Sequence, residues 1–118
     1  MIRNAQMDAL AEAAFEHYLV AHLRRHFAGP LEGCGEASLR ALVRRALRRA
    51  AAYGVSSRAG LCRYVDLSVA LGEGFEDGPE HAWAAEILAG PGTGDARVEE
   101  LAGEAVRRLA DRVLRPEE

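Results

Sequence analysis

Apolar residues recur at helical spacing along almost the whole chain, with charged residues filling the positions between them. Residues 4–27 read as the first helix. Met7, Leu10, Ala14, Tyr18 and Ala21 follow a 3–4 spacing and predict its buried face, and Phe15, Leu19, Leu23 and Phe27 widen that face to one side. Gly29-Pro30 ends it, because glycine accepts a left-handed cap and proline cannot continue the ladder. At about 24 residues this is the longest element, near 36 Å at 1.5 Å per residue.

After a linker at 31–35, a second helix is predicted over 36–53, with Leu39, Leu42, Val43, Ala46, Leu47, Ala50 and Tyr53 inward and Gly54 as its cap. Ser56 or Ser57 caps a third helix over 58–71. Leu61, Tyr64, Val65, Ser68 and Leu71 give its inner face, and Leu67 and Val69 make it apolar over more than half its circumference. The acidic loop 73–78 carries one aromatic, Phe75, expected to plug back into the core. A fourth helix is predicted from Pro79 to Ala89, capped by Asp77 and anchored by Trp83, Ile87 and Leu88. Gly90-Pro91-Gly92 stops it.

Thr93 or Asp95 opens the last helix, which runs to about Leu114 with Val98, Leu101, Ala105, Leu109 and Val113 buried. Asp95, Glu99 and Glu100 sit at its start and Arg107, Arg108, Arg112 and Arg115 toward its end, which suits the helix dipole, and Pro116 closes it. No strand pattern and no internal repeat emerges. The expectation is an all-α fold: a single domain over 1–118, a bundle of five helices, three long and two short.

Composition adds charge layout. Residues 1–63 hold ten Arg against five acids, and residues 64–118 hold five Arg against thirteen acids, giving a net charge of −3. The chain as a whole therefore has no general attraction for nucleic acid. Five of the arginines, Arg40, Arg44, Arg45, Arg48 and Arg49, crowd the second helix. They suit intramolecular salt links or a protein partner, with phosphate contact as the alternative. The two cysteines, Cys34 and Cys62, form no CxxC pair and read as free thiols of a cytoplasmic protein, Cys62 buried and Cys34 exposed. No run of apolar residues is long enough to span a membrane, and no standard signal peptide is visible.

Candidate chemistry is sparse. His22 and His26 share a helix face at a spacing that can hold a metal, but Arg24 and Arg25 stand beside them and no metal is expected. Cys34 with His26 lacks an orienting third group and an oxyanion hole. Glu12 with Glu16, and Glu100 with Glu104, are paired carboxylates on solvated faces. The glycine-rich turns at 72–74 and 90–94 follow helices and lack the lysine of a phosphate loop. No catalytic residue and no cofactor is expected. Tyr64, Phe75 and Trp83 cluster around the central 60–90 stretch as core or interface anchors.

Four segments carry a resemblance: HLRRHF at 22–27, RALRRAAAYGVSSRAGLCRYVDLSVALGEGF at 45–75, WAAEILAG at 83–90 and ARVEELAGEAV at 96–106. Together they resemble small all-helical bacterial proteins associated with genes beside type VI secretion and polymorphic-toxin effectors. The resemblance implies a five-helix accessory protein, an effector-binding adaptor, chaperone or immunity protein, and brings no catalytic residue. Such relatives carry a proline or a charged residue before the tryptophan, where this chain has His81-Ala82. The functional expectation is a non-enzymatic protein that binds a toxin, an effector or a secretion component, with homo-oligomerisation also open to it. Its predicted binding residues are Arg40, Arg44, Arg45, Arg48, Phe75 and Trp83. The alternative is a nucleic-acid-binding regulator using the arginine face.

Overall fold

The helical periodicity is realised as five α-helices: α1 Asn4–His26, α2 Glu36–Ala52, α3 Arg58–Ala70, α4 Ala82–Leu88 and α5 Gly94–Leu114. The computed structural model describes the backbone of residues 4–114 and the side chains of residues 10–111. The predicted roles of Met7, Arg112, Val113, Arg115 and Pro116 lie outside the described side chains. Among the described residues there is no strand.

The helices form one single-domain bundle with a simple neighbour order. α2 packs between α1 and α3, α3 also packs on α5, and α4 packs on α5. The extents of 61 × 38 × 20 Å are those of a slab about two helices thick. α1 closes one end of this array. The core runs through Leu19 and Leu23 of α1, Leu39, Val43, Ala46 and Ala50 of α2, Tyr64 and Val65 of α3, Leu88 of α4, and Val98 and Leu101 of α5. Phe75 enters from its loop and is buried, as expected of it.

Four sequence expectations need correction. First, the Leu10, Ala14, Tyr18 and Ala21 stripe of α1 faces outward, while Leu19, Val20 and Leu23 are buried. α1 packs closely on α2 and only lightly elsewhere, so only one of its two apolar faces is covered. Second, the predicted fourth helix is broken. Phe75–Asp77 and Pro79–His81 are single turns of 3-10 helix, and His81, at φ −125° and ψ 41°, leaves the helical region before α4 begins. Third, Asp77 caps nothing, because its carboxylate is drawn to Arg49. Fourth, Leu109 is exposed, since α5 outruns the body of the bundle beyond Ala105.

A clasp between the α2–α3 turn and the start of α5 holds α2, α3 and α5 in register. Ser57 caps α3, its hydroxyl accepting from Gly60 N at 2.9 Å. The same hydroxyl donates to Asp95 Oδ1 at 2.8 Å, and the backbone N–H of Ser57 donates to that oxygen at 3.1 Å. Ser56 Oγ donates to Asp95 Oδ2 at 3.1 Å. Arg97 reaches back to donate to Tyr53 O at 2.7 Å and to Gly92 O at 2.6 Å. Thr93 caps α5 through its hydroxyl, which accepts from Ala96 N at 3.1 Å. The backbones themselves touch: a Cβ on Gly94 would stand 2.5 Å from both Gly54 O and Tyr53 O.

Candidate functional site

The arginines of α2 are largely spent within the molecule. Arg44 donates from Nε to Glu16 Oε1 at 2.6 Å and from Nη2 to Oε2 at 3.2 Å, and Arg40 adds a bond to Oε2 at 3.0 Å. These pairs bolt α1 to α2. Arg45 grips both oxygens of Glu73, and Arg49 donates to Asp77 Oδ2 at 2.6 Å, which fastens the 72–78 loop to the other flank of α2. Arg48 is exposed and makes no ion pair among the described residues. Exposed pairs contribute about 0–1 kcal/mol each, so this face fixes geometry more than it adds stability.

The pairs set an acid limit. Arg44 holds Glu16 below its ordinary 4.5, Arg45 does the same for Glu73, and Arg107 for Glu104. The Ser57 hydroxyl holds Asp95 below its ordinary 3.8. Each folded value lies under the unfolded one. Their contribution is therefore complete above the unfolded values and is lost as pH falls through the folded ones. The urea midpoint is expected to hold from pH 7 to about 5 and to drop below about pH 4. A midpoint at pH 3 equal to that at pH 7 contradicts this.

Phe75 and Trp83 belong to one aromatic chain. Tyr53, Tyr64, Phe75, His81 and Trp83 follow one another with ring centroids 5.7–6.4 Å apart. Tyr64 is fully buried and donates its hydroxyl to Glu76, a carboxylate on which Arg49 Nε also converges at 3.4 Å. Burial, then the bond to Glu76, pushes Tyr64 well above the ordinary tyrosine range. Glu76 is buried too, and its Oε1 has no hydrogen-bond partner. Phe75 is thus part of the core. Trp83 is half-buried in a cleft of about 910 Å³, where the Arg108 guanidinium lies 4.6 Å over its ring. Glu104, Arg107 and the exposed Leu109 share that cleft.

Large apolar side chains are exposed on α5, at Val106 and Leu109, and again on α1 at the other end of the array. Leu10 is 62% and Tyr18 56% exposed, and Ala14 between them is exposed as well. Phe15 stacks beside Tyr18 at 6.2 Å, and Arg58 of α3 lies 5.4 Å over the Phe15 ring. Between α1 and α3 runs a groove of about 600 Å³, lined by Phe15, Tyr18, His22, Arg58, Cys62 and Asp66 among others.

At the groove, α1 and α3 bring three donor groups together. His22 Nε2 is 2.8 Å from Asp66 Oδ1 and 3.7 Å from Cys62 Sγ. His26, one turn on, packs its ring 4.7 Å from that of His22. Cys62 is half-buried rather than buried, and so is Cys34. Burial, with the Asp66 charge behind it, pushes the Cys62 thiol up, which suits a protonated thiol and not a free nucleophile. The arrangement is no relay either. In a nucleophilic triad the carboxylate holds one imidazole nitrogen and the nucleophile meets the other. Here both meet Nε2. Cys34 does not serve His26, since its thiol points to Gly35 O at 3.7 Å.

Sequence reasoning found the His22–His26 spacing but missed its counterpart, because Cys62 and Asp66 repeat the same i, i+4 step on another helix. Glu76 and Arg97 were missed as well, as was the role of Asp95 as acceptor for Ser56 and Ser57. The fold and these surfaces define a small all-α module whose end helix exposes apolar side chains. No family model matches the chain, and neither a curated protein nor a solved structure is found to be similar to it. Among the described residues no helix is long and apolar enough to cross a membrane.

Proposed function

We propose that this protein is a non-enzymatic protein-binding module that receives an apolar-faced segment of a partner protein on the outer side of α1. One observation carries the reading. The Leu10, Ala14 and Tyr18 stripe has the spacing of a core face, yet Leu10 is 62% and Tyr18 56% exposed. Soluble proteins seldom leave large side chains at core spacing open to water along a helix unless something covers them. The groove beside the stripe supplies the concave wall that helix-in-groove recognition uses. The resemblance adds the kind of partner, a co-encoded toxin or secreted effector, for which this chain acts as adaptor, chaperone or immunity protein. Its two free thiols suit the reducing cytoplasm.

Affinity capture from native lysate, with identification of bound material by mass, tests the reading. One specific protein is expected, and the double variant Leu10→Glu/Tyr18→Glu is expected to weaken its binding at least about tenfold, or about 1.4 kcal/mol. Both positions are exposed, so the variant keeps its helical circular dichroism. Recovery of nucleic acid alone, released by salt and lost in Arg44→Gln/Arg48→Gln, overturns the proposal. So does a partner held equally well by the stripe variant.

A further inference from the structure

We propose that His22, Cys62 and Asp66 form a binding site for a divalent transition-metal ion of the zinc type, independently of any protein partner. One imidazole nitrogen, one sulfur and one carboxylate oxygen from two facing helices all lie within 4.8 Å of one another. Both contacts centre on His22 Nε2, so the sulfur and the carboxylate oxygen flank one nitrogen and an ion drawn between them could be held by all three. A tetrahedral zinc site has metal–ligand bonds of about 2.0–2.3 Å, which set its ligand atoms roughly 3.3–3.7 Å apart. The sulfur–nitrogen separation of 3.7 Å already fits. The 2.8 Å nitrogen–oxygen pair has to open by roughly half an ångström as the ion replaces the hydrogen bond.

Each donor has the support a ligand needs. His22 and His26 are one turn apart on α1, and the His26 ring braces that of His22. Cys62 and Asp66 are one turn apart on α3, so a single register of the two helices aligns all three donors. A thiolate and a carboxylate balance the two charges of the ion. Of the nearby cations, Arg63 is held 2.7 Å from Glu99, and Arg58 lies over the Phe15 ring. The mixed nitrogen, sulfur and oxygen set favours zinc over magnesium or calcium, which prefer oxygen alone. Binding replaces the S–H bond of Cys62 with a metal–sulfur bond and releases that proton to solvent, while His22 coordinates as a neutral base with its proton on Nδ1. With three protein ligands, the fourth position opens toward the groove.

Cobalt(II) is the probe, because it takes zinc-like geometry and reports on sulfur. In the full chain carrying Cys34→Ser, Cys62 is the only thiol. One equivalent of cobalt is expected to produce a thiolate-to-metal charge-transfer band together with the visible bands of a tetrahedral site. Zinc should abolish both. Asp66→Asn, which preserves shape, and His22→Ala are each expected to weaken zinc binding by about 10- to 100-fold in calorimetric titration. Cys62→Ser should remove the charge-transfer band, with helix content unchanged by circular dichroism. Absence of the band in the Cys34→Ser protein overturns the proposal, as does zinc affinity that neither Asp66→Asn nor His22→Ala alters. No partner protein enters the assay, so its failure leaves the α1 interface untouched.

Discussion

Replacing Gly94 with alanine is expected to destabilise the protein by about 3 kcal/mol, lowering its melting temperature by roughly 10–15 °C. The added Cβ would stand 2.5 Å from Gly54 O and from Tyr53 O, with the carbonyl carbon of Gly54 beside them. All three are backbone atoms, so no side chain can turn aside to make room. The start of α5 has to move off the α2–α3 turn. The Asp95 bonds to Ser56 and Ser57, and the bond from Arg97 to Tyr53 O, depend on that approach. Gly29→Ala is the control. Nothing lies within 4 Å of its added Cβ, and its stability should stay within about 0.5 kcal/mol of the parent. Thermal melts that place the two variants together refute the account.

The second large effect is expected at Glu76. Glu76→Ala should cost about 2–3 kcal/mol, because it strands the fully buried Tyr64 hydroxyl without an acceptor. Arg49 loses one partner but keeps Asp77 at 2.6 Å and part of its exposure, so the larger penalty of an orphaned buried charge does not apply. Tyr64→Phe alone should cost about 1–2 kcal/mol. The pair Glu76→Met with Tyr64→Phe removes donor and acceptor together, and it is expected to be less destabilised than the sum of its single changes. Strict additivity in urea denaturation would falsify the claim that the two groups depend on each other.

Much of the fold was legible because α2 and α5 keep their apolar residues on one face. Leu39, Val43, Ala46 and Ala50 were read as inward and are buried, as are Val98, Leu101 and Ala105. α1 was harder. Its alanines and larger apolar residues spread around the helix in two stripes, and periodicity alone cannot say which stripe meets the bundle. That depends on α1 being the end helix, a property of neighbours and not of spacing. Glu76 was given no role within its acidic loop, since nothing local marks it as the acceptor of Tyr64. The donor cluster was half legible. The α1 histidine pair shows in the sequence, but the meeting of His22 with Cys62 and Asp66 spans 40 and 44 positions. The arginine face was read as salt links or a partner surface, and the acids that pair with it inside the molecule were not foreseen. Gly94 was read as part of a tight turn, while the carbonyl it faces lies 40 positions earlier in the chain.

The clasp between residues 53–60 and 92–97 also implies a signature by which other chains could be recognised. A chain that builds it needs glycine where Gly54 turns at φ 84° and where Gly94 meets the opposite backbone. It needs a small hydroxyl residue at 57 to serve as cap and donor at once, and a glycine at 60, where a Cβ would stand 2.5 Å from Asp95 Oδ1. It needs Asp95 as shared acceptor and Arg97 as the reach to Tyr53 O. These positions are distinct from Leu10, Ala14 and Tyr18 and from His22, Cys62 and Asp66. Distant relatives should therefore exchange their binding surfaces freely while these six residues travel together.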